Sequence, residues 1–302
     1  MKALIADKIH EDGVKLLREF AEVDVSTGLK PAELIAKIGS YDILVVRSAT
    51  KVTKEIIDAG KNLKIIARAG VGLDNIDVEA AKVRGIKILN APEAPTVAVA
   101  ELVFALMLSW ARRLLQADAG MKAGRWGKAQ LMGSELRGKT LGIVGTGRIG
   151  AAVGHRAKAF LMDILAHDLT QNAELVQRTG ARYVAIDDLL RQSDFVTLHV
   201  ALTEQTRHMI GRRELGLMKP TAVLINTSRG GVIDEGALAE ALKQGKIAGA
   251  CLDVYEKEPP VGSPLLKLQN VVLTPHIGAS TVEAQRDAAI VVTQKIKKAL
   301  GR

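Results

Sequence analysis

The stretch Gly145-Thr146-Gly147-Arg148-Ile149-Gly150 follows a short apolar run, Thr140 to Val144, and has the spacing GxGxxG. The first glycine allows a tight turn, the second lets backbone N–H groups approach a pyrophosphate, and the third lets the next helix lie close on the sheet. Phosphate charge would then sit on the helix N-terminus. A second strand-like run, Asp163 to Ala166, leads to Asp168, where a carboxylate can hydrogen-bond an adenosine ribose. Asp168 is followed by Leu169-Thr170, which offers no cation to a 2′-phosphate, so NAD rather than NADP is the expected cofactor.

Three polar residues lie at the ends of later candidate strands. Arg229 sits in Asn226-Thr227-Ser228-Arg229-Gly230-Gly231, Glu258 in Asp253-Val254-Tyr255-Glu256-Lys257-Glu258-Pro259-Pro260, and His276 follows Pro275. An imidazole beside a nicotinamide can pass a proton while hydride leaves carbon, and a neighbouring carboxylate favours the imidazolium and orients it. An arginine fork suits a substrate carboxylate. Each residue alone has a structural explanation; their joint placement points to an oxidoreductase.

The elements that position these groups alternate throughout. Residues 2–90 contain candidate strands at Lys2 to Ala6, Glu22 to Val25, Ile43 to Val46, Lys64 to Ala67 and Ile86 to Leu89, with amphipathic helical patterns between them. This order implies a parallel sheet covered on both faces, with ligands at the carboxyl ends of its strands. Two loops at those ends join cations to small residues: Arg47-Ser48-Ala49-Thr50-Lys51, and Arg68-Ala69-Gly70-Val71-Gly72. Both are suited to an anion. A proline-rich crossing, Asn90 to Pro95, leads into a long helix expected from Thr96 to about Ala119. From Thr140 a second α/β unit adds strands at Phe195 to Val200, Ala222 to Asn226, Ala248 to Asp253 and Val271 to Thr274, and a helix from Thr281 to Leu300 closes the chain.

At 302 residues two domains are expected. The net charge of +9 invites a polyanion, but the Lys and Arg residues are scattered and aromatic residues make up only 3%, so nucleic-acid binding is not expected. The longest apolar stretch, Val97 to Trp110, is interrupted by Glu101 and too short to span a bilayer; it reads as a helix buried on most sides. Met1 to Ala6 lacks the pattern of a signal peptide, so a cytoplasmic location is expected. Cys251, the one cysteine, lies in an apolar run and is expected to pack rather than react. No metal site is expected.

The succession GTGRIG, NTSRGG, DVYEKEPP and TPHIGAS is similar to the D-isomer-specific 2-hydroxyacid dehydrogenases, from Met1 to about Leu300. RSATKVT, RAGVGLDNID and PHIGAST most resemble the members that oxidise D-3-phosphoglycerate to 3-phosphohydroxypyruvate in serine biosynthesis. The resemblance implies a Rossmann cofactor domain, 96–279, inserted in a flavodoxin-like substrate domain, 1–95 with 280–302. Both are doubly wound α/β folds. It implies that Arg229 binds the substrate carboxylate, His276 is the acid/base and Glu258 its partner. It places Gly145, Gly147, Arg148, Ile149, Gly150, Asp168, His199, Thr227, Asp253, His276 and Gly278 at NAD, with Asp253 at the nicotinamide carboxamide. Arg47, Ser48, Arg68, Ala69 and Gly70 would hold a small anionic 2-hydroxy or 2-oxo acid with Arg229 and His276. A homodimer built on the cofactor unit is also implied.

Two departures bear on the substrate. Pro95 stands where the family usually has asparagine, and Ala201 where a proline is common. The chain stops about where the family's catalytic core does, so no C-terminal serine-binding regulatory domain is expected. A hydroxypyruvate or glyoxylate reductase is the alternative within the family. A corepressor-like, NAD-sensing interaction protein is the alternative outside the enzymes.

Overall fold

The computed structural model describes residues 1–301. It contains twelve strands: β1 Lys2–Ile5, β2 Glu22–Val25, β3 Ile43–Val46, β4 Ile65–Arg68, β5 Lys87–Asn90, β6 Thr140–Val144, β7 Asp163–His167, β8 Arg182–Tyr183, β9 Phe195–Leu198, β10 Val223–Asn226, β11 Gly249–Leu252 and β12 Val271–Leu273. The chain divides into two units, residues 1–98 with 279–302, and residues 99–278. The break falls inside the helix Thr96–Ala111, not at the prolines before it.

The first unit holds a five-stranded sheet in the order β2-β1-β3-β4-β5, every pair parallel. Alternation along each strand sends side chains to opposite faces and so makes two cores. Ala3, Ile5, Ile43, Val45, Ile65 and Ala67 share one core, and Leu4, Leu44, Val46 and Ile66 the other. The helix Val282–Ala299 returns to the first of these through Ala288, Ala289, Val292 and Ile296. It lies against the helix Glu11–Arg18, where Arg286 Nε and Asp12 Oδ2 are 2.5 Å apart.

The second unit holds seven parallel strands in the order β12-β11-β10-β9-β6-β7-β8. Its two faces separate in the same way, with Val196, Leu198, Leu224 and Leu252 on one side and Phe195, Val223, Ile225 and Cys251 on the other. Burial pushes the Cys251 thiol well above its ordinary pKa, and its Sγ faces the carbonyl of Leu106, so it packs as expected. The strand order reverses between β6 and β9, the switch point beside which such sheets bind ligands.

The helix expected to run from Thr96 to about Ala119 instead stops at Ala111 and restarts as Leu114–Lys122. Arg113 between them is left-handed, with φ 50°. The cause is a returning segment. Ser134 donates its N–H to the Ala111 carbonyl at 2.9 Å, and a Cβ on Gly133 would stand 2.3 Å from that oxygen. The first helix is buried on most sides, as expected: Ala100, Val103 and Met107 are fully covered, and Val97, Glu101 and Ala105 are its exposed residues. β8, only two residues long, is too short to show as a pattern in the sequence.

Gly13 tests the packing of the first unit. A Cβ there would stand 2.6 Å from the Ala289 Cβ and 2.9 Å from its backbone. Alanine normally outranks glycine in a helix by about 1 kcal/mol, but overpacking costs about 1–3 kcal/mol. Gly13→Ala is therefore expected to lower the thermal unfolding midpoint, and a raised midpoint would contradict this packing.

Candidate active site

Because every strand of the second unit runs the same way, the residues just past β6, β7, β9, β10, β11 and β12 emerge on one edge. There the three glycines of the fingerprint have three different reasons. Gly145 has φ +91°, and a Cβ on it would meet the His199 carbonyl oxygen at 2.5 Å. Gly150 lies so close to the loop that a Cβ would stand 2.0 Å from the Gly145 oxygen. Among the described residues, chain neighbours aside, nothing comes within 4 Å of a Cβ on Gly147. Its bareness fits close approach by a ligand, at the start of the twelve-residue helix Arg148–Ala159, whose first N–H groups, those of Arg148 and Ile149 included, have no carbonyl within the helix.

Asp168 follows β7 directly, and its Oδ2 accepts the Thr146 N–H at 2.5 Å. Burial pushes its carboxyl up, but hydrogen bonds from Thr146, Thr170 and Leu169 outweigh burial and hold the group below its ordinary value. It stays charged beside the glycine loop. His199 is the reverse case. Dense protein around the ring pushes it down to about 3, although part of it reaches the surface, so it is neutral at physiological pH and bonds Thr197 Oγ1 through Nε2 at 3.0 Å. Thr227 carries a buried hydroxyl oxygen with no partner among the described residues, which suits a ligand amide.

The loops that carry Arg229 and Glu258 meet at Gly230. A Cβ on Gly230 would stand 1.8 Å from the Tyr255 carbonyl carbon, so only glycine lets the arginine loop press on the Tyr255–Glu256 peptide. Asn226 shapes the arginine loop, accepting from Ser228 N–H at 3.0 Å and donating to the Arg229 carbonyl at 2.9 Å. Glu258 accepts the Tyr255 N–H at 3.2 Å through Oε1, and its Oε2 is 2.7 Å from His276 Nδ1. An ionised carboxylate only accepts, so Nδ1 carries the hydrogen and Nε2 is left for a proton exchanged with a ligand. Glu235, which sequence reasoning missed, exchanges hydrogen bonds with Glu256 and pins this loop to the helix Glu235–Lys243.

His276 is left-handed, with φ 53°, an uncommon conformation for a residue with a side chain. Asp253, 1% exposed, imposes it. Its carbonyl accepts the His276 N–H at 2.9 Å. Its Oδ1 accepts Thr274 Oγ1–H at 2.6 Å and Ile277 N–H at 2.8 Å, and its Oδ2 accepts Gly278 N–H at 2.8 Å. Burial pushes the Tyr255 phenol up to about 12, so it remains a donor to the Thr274 carbonyl at 2.9 Å.

In the first unit, Asp7 shapes the Arg47 loop, accepting Arg47 N–H at 2.6 Å and Thr50 Oγ1–H at 2.6 Å. Nothing in the sequence pattern marked it. Arg68 donates through Nε to the Arg47 carbonyl at 3.2 Å and through a terminal nitrogen to the Gly72 carbonyl, so part of its guanidinium braces the two loops. Ser48 is exposed, Ala69 buried and Gly70 half-buried.

The family model described as "D-isomer specific 2-hydroxyacid dehydrogenase, NAD binding domain" matches residues 104–278. The chain is 52% identical over 301 residues to the D-3-phosphoglycerate dehydrogenase of Methanocaldococcus jannaschii, a match covering 99% of this chain but 57% of that relative. It is 51% identical over 301 residues to the hydroxypyruvate reductase of Thermotoga maritima, covering 98% of this chain and 97% of that one. A solved glyoxylate reductase from Paecilomyes thermophila has a TM-score of 0.89 at 35% identity, covering 100% of this chain and 96% of that one. The chain belongs to the D-isomer specific 2-hydroxyacid dehydrogenase family, and residues 104–278 form its NAD-binding domain.

The Asp253 clamp can be tested without a ligand. Asp253→Asn keeps the shape but sets an NH2 group against N–H donors. Loss of a buried acceptor costs about 1–3 kcal/mol, so the denaturant midpoint should fall accordingly. A change below about 0.5 kcal/mol, the range of neutral surface substitutions, would remove the clamp from the account.

Proposed function

We propose that this protein is an NAD-dependent D-2-hydroxyacid dehydrogenase whose reaction is the oxidation of D-3-phosphoglycerate to 3-phosphohydroxypyruvate. The observation that carries the chemistry is the Glu258–His276 pair at 2.7 Å, on loops locked to that of Arg229. Arg229 holds the substrate carboxylate. His276 Nε2 takes the proton of the C2 hydroxyl as hydride leaves C2, and Glu258 supports the imidazolium that forms. NAD, when bound, supplies the hydride acceptor; in the reverse direction Nε2 returns the proton. Residues proposed to hold it are Gly145, Gly147, Arg148, Ile149, Gly150, Asp168, His199, Thr227, Asp253, His276 and Gly278.

The phosphate reading is supported by cationic loops in the first unit and by the phosphoglycerate dehydrogenases among the relatives. Arg47, Ser48, Arg68, Ala69 and Gly70 are proposed for the substrate there. Arg47 is the strongest candidate, because its backbone is fixed by Asp7 while Arg68 already serves two carbonyls. A second reading, reduction of hydroxypyruvate or glyoxylate, is favoured by that commitment of Arg68, by Pro95, and by the full-length match to the Thermotoga reductase.

A homodimer built on the second unit is also proposed. Leu114, Leu115, Met121, Trp126 and Met132 are all at least 54% exposed, and this run of exposed apolar side chains within residues 114–132 supports an interface there. Sedimentation should read twice the chain mass, and a monomer at micromolar concentration would exclude this assembly.

The substrate is decided by kcat/KM for 3-phosphohydroxypyruvate against hydroxypyruvate, measured with NADH. A phosphate held by charge-assisted bonds of about 1.5–3 kcal/mol each should favour the first at least about tenfold. Arg47→Ala should shrink that ratio, and His276→Ala should cut turnover on both by about 10² to 10⁴. Preference for hydroxypyruvate or glyoxylate transfers the assignment to the reductase. Undiminished turnover in His276→Ala sinks the mechanism for either substrate.

A further inference from the structure

Asp168 lies at the end of a relay of hydroxyl groups whose direction is forced. A carboxylate only accepts, so Thr146 Oγ1, 3.1 Å from Asp168 Oδ2, donates to it. Thr146 Oγ1 must then accept from the Tyr183 hydroxyl, at 2.7 Å. The Tyr183 oxygen in turn accepts the backbone N–H of Asn172 at 2.8 Å. Asn172 closes the ring with its Nδ2 on the Thr146 carbonyl at 3.1 Å, while its Oδ1 caps the helix Ala173–Thr179 through Leu175 N–H at 3.0 Å. Three elements therefore meet at Thr146, which is 3% exposed: the glycine loop, the start of the next helix and the edge strand β8.

The relay treats the two oxygens of Asp168 unequally. Oδ2 is filled by the N–H and hydroxyl of Thr146, whereas the hydrogen bond to Oδ1 is a long one, from Thr170 N–H at 3.4 Å. A hydrogen-bonded chain of this kind strengthens as each member polarises the next. Without it the carboxylate keeps its charge but loses the contact that aims it.

We propose that Tyr183 is a positioning residue for nucleotide selection: acting through Thr146, it holds Asp168 so that Oδ1 meets the adenosine ribose hydroxyls and the negative charge opposes a 2′-phosphate. Both the proton and the accepting lone pair of the Tyr183 hydroxyl are used within the relay, so its effect on the nucleotide is transmitted by Asp168. The inference holds whichever 2-hydroxy acid is the substrate.

The test is fluorescence titration of NADH and NADPH against the wild type, Tyr183→Phe, Thr146→Val and Thr146→Ser, each confirmed folded by its thermal transition. The wild type should bind NADH more tightly than NADPH. Tyr183→Phe and Thr146→Val should each reduce the ratio of the two dissociation constants by about fivefold or more, the equivalent of one hydrogen bond. Thr146→Ser, which keeps the hydroxyl, should stay within about twofold of wild type. A ratio unmoved in Tyr183→Phe overturns the proposal even if both nucleotides bind more weakly, because uniform weakening is what simple damage to the loop would produce. Failure of the serine variant to retain selectivity, or a wild type without preference for NADH, overturns it as well.

Discussion

Parallel pairing constrains everything else in this molecule. A strand buried on both faces leaves no surface on which to carry polar groups, so β3, β9, β10 and β11 are covered from end to end. Each can present chemistry only where the chain leaves the sheet. Common strand direction then collects those exits on one edge, and residues far apart in sequence arrive together without any long-range signal between them. Arg229, Asp253 and His276 are neighbours because β10, β11 and β12 are.

At those exits the recurring device is a carboxylate that accepts from the loop's own donors. Asp7 does so beyond β1, Asp168 beyond β7 and Asp253 beyond β11. Each meets backbone N–H groups that the end of the sheet leaves unpaired, and so converts a turn into a fixed shape. At His276 the clamp holds a left-handed residue in place; at Arg47 and Asp168 it leaves a charged group standing on a rigid base. Orientation in these sites comes from filling acceptors, and the glycines supply the clearance that lets the loops approach.

The strands and the order of the loops were legible in the sequence because short apolar runs and GxGxxG are local patterns. Strand limits shifted by a residue in places, as at β4 and β5. The catalytic pair was readable as residue types at strand ends, though its 2.7 Å geometry was not. What escaped depends on partners remote in sequence. The helix break at Arg113 is set by Ser134, and nothing within Thr96 to Ala119 announces it. Tyr183 lies on a strand too short to form a pattern, and its value rests on Thr146, 37 positions earlier. Asp7 resembles any acid after a strand until the loop of Arg47 folds over it. Arg68 misled in the other direction, since the carbonyls it braces cannot be seen in the chain.

The single thiol has a use that its burial creates. Cys251 lies on β11, between β10 and β12, with no exposed surface, and it is the only sulfhydryl in the chain. A thiol reagent can reach it only when the second unit opens, and opening of the first unit offers that reagent nothing to modify. The rate of labelling under native conditions is thus a clock for one unit alone. Set beside a global spectroscopic signal, it separates the unfolding of the cofactor unit from that of its neighbour without any introduced probe.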